Sequence, residues 1–234
     1  MSELSLAEEL EICTERCRTM DGPLEERLSA FADDVRRLAP EFADIVDRMV
    51  NRLQNSKAGE SAPNVGEPMP PFVLPDENGH LVSLEKLLER GQVVLSFHRG
   101  HWCPYCRINA AALANVEKLI KDAAGQLVLI TPETQKYTRA LKSDSKGSFP
   151  ILTDLDSGYA LELQLAIQIN DEKRLAMTAA GWDISLFQDN ANWTLPIPAT
   201  FVVGTDGLVK GRFVDPDYRK RMDAEDILAA LNAS

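Results

Sequence analysis

An apolar run that leads into two cysteines three residues apart constrains this chain more than any other feature. Gln92-Val93-Val94-Leu95-Ser96-Phe97 reads as a buried strand. After Cys103-Pro104-Tyr105-Cys106, the residues Ala110, Leu113, Val116 and Ile120 recur at the spacing of one helix face. The thiols therefore stand at a helix N-terminus, where unpaired N–H groups and the positive dipole end favour an anion. Thiolate is the reactive form of cysteine, so this position favours chemistry. Pro104 fits the first helical turn, where its missing N–H costs nothing, and Arg99 and Arg107 add positive charge nearby in sequence. A spacing of three brings both sulfurs to one edge of the turn, where a small disulfide ring can close. Thiol-disulfide or peroxide chemistry at Cys103 and Cys106 is the expectation.

The same residues admit two other readings. Paired cysteines can be small buried apolar side chains. His98, His101, Cys103 and Cys106 are also four potential ligands for tetrahedral zinc, although a strand end running straight into a helix leaves little chain to wrap a metal.

Composition narrows the function further. Only four cysteines are present, in two close pairs, Cys13 with Cys17 and Cys103 with Cys106, unlike the dispersed framework of a small secreted protein. With 36 acidic against 25 basic residues the net charge is −11, and no segment gathers Lys and Arg into a stripe, so nucleic acid is not an expected partner. Met1-Ser2-Glu3-Leu4 opens an acidic amphipathic helix rather than an export signal, and no stretch approaches membrane-spanning length. A soluble cytoplasmic protein with no membrane contact is expected.

Along the first third, apolar residues alternate at spacings of four and three: Leu6, Leu10, Cys13, Cys17, Met20; Leu24, Leu28, Phe31, Val35, Leu38; Phe42, Val46, Met49, Leu53. With breaks at Asp21-Gly22-Pro23 and Ala39-Pro40, this predicts three amphipathic helices over residues 1–57. Their apolar seams need a surface, either the rest of the chain or a second copy, so a homodimer through these helices is one solution. Cys13 and Cys17 occupy seam positions, where a small core residue is the simpler role than a resolving thiol. A Pro- and Gly-rich linker over 58–71 follows, then a main domain over 72–234.

In that domain a hairpin from Phe72 to Leu84, strands at Gln92–Phe97 and Gln126–Thr131, a helix from about Glu133 to Ser145, a short strand at Phe149–Leu152, strands Ala199–Val203 and Leu208–Val214, and a final helix carrying Ile227, Leu228 and Leu231 predict an α/β fold. Its central mixed sheet is covered by helices on both faces. Residues 180–195, with Trp182 and Trp193, are long for a loop and suit a lid or a subunit contact.

Val-Val-Leu-Ser-Phe-His-Arg-Gly-His-Trp-Cys-Pro-Tyr-Cys, from Val93 to Cys106, resembles the active-site segment of the peroxiredoxin-like (alkyl hydroperoxide reductase and thiol-specific antioxidant) branch of the thioredoxin superfamily. The similarity runs from about Gly66 to Leu231 and includes Gly66-Glu67-Pro68-Met69-Pro70-Pro71-Phe72, Phe149-Pro150-Ile151-Leu152-Thr153-Asp154 and Ala199-Thr200-Phe201-Val202-Val203. In register, Arg99 stands where that family has proline, Cys103 where it has threonine, and Cys106 where it has the peroxidatic cysteine. Pro198 replaces the arginine ahead of Ala199 and Thr200.

The Cys-x-x-Cys pair and Pro198 instead look like thioredoxin, whose opposing proline is usually cis, and Ile197-Pro198 is the candidate bond. An ordinary proline at a strand start is the alternative. The thioredoxin pattern makes Cys103 the more exposed, attacking thiol, and this reading is preferred; the peroxiredoxin register makes it Cys106. Arg99, Trp102, Pro104, Pro198 and Thr200 are the expected supporting residues, with Trp102 shielding the thiols or simply packing. The resemblance implies a peroxidase or disulfide reductase that needs no cofactor or metal and is recycled by an external dithiol such as a thioredoxin-type protein. A zinc-holding or interaction module is the non-enzymatic alternative.

Overall fold

The computed structural model describes residues 4–233. The expected start of the first helix at residues 1–3 lies outside the described residues. Helix α1 (Leu6–Thr19) begins after Ser5, which forms a capping box with Glu8: the Glu8 N–H donates to Ser5 Oγ, and the Ser5 N–H donates to Glu8 Oε2 at 2.8 Å. Helices α2 (Leu24–Leu38) and α3 (Pro40–Asn55) follow, broken where Pro23 and Pro40 predict, with Pro40 at the first helical position of α3.

A small antiparallel hairpin, β1 (Val73–Pro75) and β2 (Leu81–Ser83), leads into the short helix α4 (Leu84–Leu88). Next come β3 (Gln92–Phe97), α5 (Pro104–Asp122), β4 (Gly125–Thr131), α6 (Gln135–Ser145), β5 (Ile151–Thr153) and α7 (Gly158–Glu162). The stretch up to β8 holds β6 (Ala166–Gln168), α8 (Asp171–Ala179), α9 (Ile184–Gln188) and β7 (Thr194–Pro196), with β6 and β7 pairing antiparallel. Strands β8 (Ala199–Val203) and β9 (Val209–Val214) and helix α10 (Ala224–Asn232) complete the chain.

The main sheet has the order β5-β4-β3-β8-β9, parallel from β3 to β5 and antiparallel where β8 and β9 join, so it is mixed as expected. Strict alternation along β3 sorts the core into two layers. Val93, Leu95 and Phe97 pack with Phe72, Tyr159 and Leu163 on one face, while Val94 packs with Ala110, Leu113, Ile120 and Leu231 on the other.

A third cluster lies over the C-terminal end of β3. Leu10, Cys17, Leu28, Phe31, Val46 and Met49 of the N-terminal helices share one apolar core with Trp102, Cys103, Tyr105, Cys106 and Ile108. The three helices thus bury most of their apolar seams against their own chain. Cys13 and Cys17 are reduced, buried members of this cluster. Residues 58–71 do not form a free tether. Arg212 Nη2 donates to the Gly59 carbonyl at 2.8 Å, Gly66 N–H to the Val209 carbonyl at 2.8 Å, and Val209 N–H to the Glu67 carbonyl at 2.9 Å, which fastens the segment along β9. Among the described residues, no helix is long and apolar enough to cross a membrane.

Candidate active site

β3 delivers the site. His98 N–H still donates to the Ile130 carbonyl of β4 at 2.8 Å, after which the chain turns through residues 99–102 to Cys103, the N-cap of α5. Gly100 makes the turn with φ of +138°, and a Cβ there would lie 2.5 Å from the Glu133 carboxyl carbon. Pro104 occupies the first helical turn, and no side chain caps this helix end, which leaves its positive dipole to the sulfurs.

Cys106 Sγ is the acceptor on which the site converges. The Arg99 backbone N–H donates to it at 3.2 Å and Arg221 Nη2 at 3.5 Å, with the Cys103 thiol and the His98 ring completing the set. Burial opposes a charge on Cys106, but the hydrogen bonds from Cys103 and His98 and the charge of Arg221 outweigh it and hold the thiol well below its ordinary value. Cys103 moves the other way: burial, then the hydrogen bond to Cys106 and the charge there, push it well above the ordinary value. Its contact with Arg99 Nη1 is long, 3.9 Å. Of the two, Cys106 is therefore the thiol that ionises first, and Cys103 the one that keeps its proton.

Several expectations change at this point. Neither thiol is exposed: Cys103 is 1% exposed and Cys106 0%, because α2 and α3 roof the first turn of α5, with Phe31 meeting Tyr105 edge-on at 5.0 Å. Arg107 does not serve the thiols. Its guanidinium turns outward to Glu11 (2.7 Å), Glu15 (2.8 Å) and Asp144 (3.2 Å), where it ties α1 to α5. The Ile197–Pro198 bond is trans, since the described residues include no cis peptide. Ile197 N–H donates to the Leu165 carbonyl at 2.8 Å, which draws the chain into β8 in extended form, and Pro198 is a buried residue ahead of the Phe97–Ala199 pair.

The four zinc candidates do not form one ligand set. His101 Nε2 lies 2.9 Å from Asp144 Oδ2, and among the described residues no three His, Cys, Asp or Glu side chains form a metal-ligating group. Thr200 Oγ1 lies 3.4 Å from Ser96 Oγ, which meets His98 Nε2 at 3.0 Å, so Thr200 reaches Cys106 only through two intervening side chains. Residues 180–195 contain α9 and β7 rather than a loop. Trp182 packs on Phe42 at 5.6 Å and Trp193 is buried, which places both in contacts within the chain.

Four residues that contribute to the site escape a sequence reading. Arg221 and Tyr218 come from the segment before α10, more than 110 residues from the cysteines, and Arg99 Cζ sits 3.9 Å above the Tyr218 ring. Glu133 follows β4. Its Oε2 accepts the His101 N–H at 2.6 Å, and burial pushes its carboxyl up to about 8. Lys173 of α8 brings a buried amine to the Cys103 side, 3.5 Å from the Phe42 ring centroid. A glutamate after a strand was the only one of these that carried a sequence signal, and it reads there as a helix-start residue.

A sheet of this order ending in a cysteine-bearing helix start has counterparts. A family model described as the AhpC/TSA family matches residues 65–212, well over half of the chain. The chain belongs to that family. As an AhpC/TSA member it is a thiol-dependent redox enzyme with the peroxiredoxin-like form of the thioredoxin fold. It is similar to the 1-Cys peroxiredoxin PER1 of Hordeum vulgare, 25% identical over 176 residues that cover 72% of each chain. It is also similar to the thiol-disulfide oxidoreductase ResA of Bacillus subtilis, 28% identical over 153 residues covering 65% of this chain and 68% of that one. In fold it resembles the peroxidoxin BcpB of Mycobacterium tuberculosis, with a TM-score of 0.57 and 21% identity over 72% of this chain and 96% of that one. The match to the AhpC/TSA model begins at residue 65, so the helical roof over the thiols lies outside it.

Proposed function

We propose that this AhpC/TSA member reduces peroxides with Cys106 as the attacking thiolate and Cys103 as the resolving thiol. The observation that carries this is the donor set on Cys106 Sγ: the Arg99 N–H at 3.2 Å, the Arg221 guanidinium at 3.5 Å and the Cys103 thiol. A sulfur so placed is stabilised as thiolate before substrate arrives. It also stands at the position the peroxiredoxin register assigns to the peroxidatic cysteine, and Arg221 supplies from the C-terminal segment the guanidinium that Pro198 cannot.

In the reaction the Cys106 thiolate attacks one peroxide oxygen, the O–O bond breaks, and the departing alkoxide or hydroxide takes up a proton, leaving a sulfenic acid on Cys106. The Cys103 thiol then condenses with it, a water leaves, and a Cys103–Cys106 disulfide forms. An external dithiol of thioredoxin type reduces that disulfide by thiol-disulfide exchange. The cycle draws on no cofactor.

Stopped-flow oxidation by hydrogen peroxide tests this with the wild type, Cys103→Ser and Cys106→Ser. Cys103→Ser should react once and hold a dimedone-reactive sulfenic acid, Cys106→Ser should react no faster than a free thiol, and the wild type should end as an intramolecular disulfide by mass. Wild-type oxidation at the free-thiol rate, or full speed in Cys106→Ser, overturns the assignment; the first result would leave disulfide exchange as the activity.

A further inference from the structure

A pocket of about 570 Å³, its solvent mouth included, opens beside Cys103 between α2, α3 and α8. Its walls are mainly aromatic and aliphatic, among them Phe42, Met177, Trp182 and Tyr218. Its charged residues are Arg36, Arg99, Lys173 and Arg219, with no carboxylate in the lining, although acids outnumber bases in the whole chain. Arg36 is paired with Asp44 and Asp47, and Arg219 with Asp217 and Asp47.

Arg99 and Lys173 are different. Arg99 is 3% exposed and Lys173 1%, and neither has a carboxylate partner among the described residues. Lys173 Nζ has no hydrogen-bond partner at all. The two converge on one ring: Arg99 Cζ is 3.9 Å and Lys173 Nζ 5.9 Å from the Tyr218 centroid. Buried basic groups without a carboxylate partner are costly to keep, and an anion seated between them removes the cost. Burial, with Arg99 and Arg219 beside it, pushes the Lys173 amine down to about 6, a penalty that a bound carboxylate would relieve.

We infer that this pocket binds a carboxylate with an apolar or aromatic body, the carboxylate between Arg99 and Lys173 and the body against Phe42, Met177 and Trp182.

Calorimetry on the full chain tests the inference independently of the peroxidase reading: the unreactive probe 4-isopropylbenzoate is titrated against its neutral counterpart 4-isopropylbenzamide. The acid should bind at least about tenfold more tightly. Lys173→Met, which removes a buried basic group while keeping the volume, should retain its thermal midpoint and lose that preference. Equal binding of acid and amide, or a preference that survives in folded Lys173→Met, overturns the inference.

Discussion

Arg221 offers the sharpest test of how the site stores its charge. The guanidinium lies 3.5 Å from Cys106 Sγ in a buried setting, and replacing it with methionine removes a full positive charge at that distance. Two unit charges so spaced interact by about 1 kcal/mol at the dielectric of water and about 5 kcal/mol at an effective value near 20. With about 1.4 kcal/mol per pKa unit, the loss should raise Cys106 by about 1 to 3 units, since the charge now removed favoured the thiolate. Arg221→Lys, which keeps a charge but gives up the planar fork, should recover much of that shift. The ultraviolet absorbance of the thiolate, followed against pH in the wild type and both variants, reads the effect directly. Peroxide consumption at neutral pH should fall in parallel with the thiolate fraction. A shift in Arg221→Met below about a third of a unit would refute the electrostatic account. An equal shift in Arg221→Lys would instead point to packing.

Glu133 should imprint a pH dependence on stability. Its carboxyl is raised from an ordinary 4.5 to about 8 in the folded chain, so between those values the unfolded chain ionises first and stability falls as pH rises, levelling off above the upper value. The slope approaches about 1.4 kcal/mol per pH unit, and Glu133→Gln, which keeps an oxygen for the His101 N–H, should flatten it in denaturant unfolding from acid to mildly alkaline pH. An unchanged slope would refute the assignment. Phe31→Ala should cost about 3 to 5 kcal/mol, because the ring is 1% exposed and packs on Tyr105. The same variant should speed alkylation of Cys103, and a rate unaltered beside lost stability would show that the helical roof does not screen the thiol.

What could be read from the sequence follows the range of the interactions involved. β3, α5 and the β8–β9 hairpin are long, periodic and locally punctuated, so their patterns survive without tertiary information. The β6–β7 pair does not: each strand has three residues, and they meet across 25 intervening residues that hold two helices, so nothing local announces the hairpin. The site divides in the same way. Pro104 and the two cysteines sit within one helical turn and are visible at once, whereas Arg221 reaches Cys106 across 115 positions. Lys173 lies in Asp171-Glu172-Lys173-Arg174, a run that reads as a solvated helix start until α3 is packed over it. The exposure of the pair divides in the same way. The Cys-x-x-Cys pattern predicts an exposed first thiol, but the roof that buries Cys103 comes from α2 and α3, on the far side of the 58–71 segment.

Because that roof and the two sulfurs occupy a single apolar cluster, the proposed disulfide chemistry would be coupled to the roof. Reduced, the cluster must accommodate a charged sulfur; as a disulfide, it would hold a neutral one. Any difference in how firmly the three helices dock on those two states enters the reduction potential directly, at about 30 mV for every 1.4 kcal/mol. Linkage runs in both directions: electrons added to or withdrawn from the pair alter the hold of the helices, and whatever grips the helices sets how readily the pair gives electrons up. In the proposed cycle, a segment outside the match to the AhpC/TSA model would thereby tune the chemistry inside it.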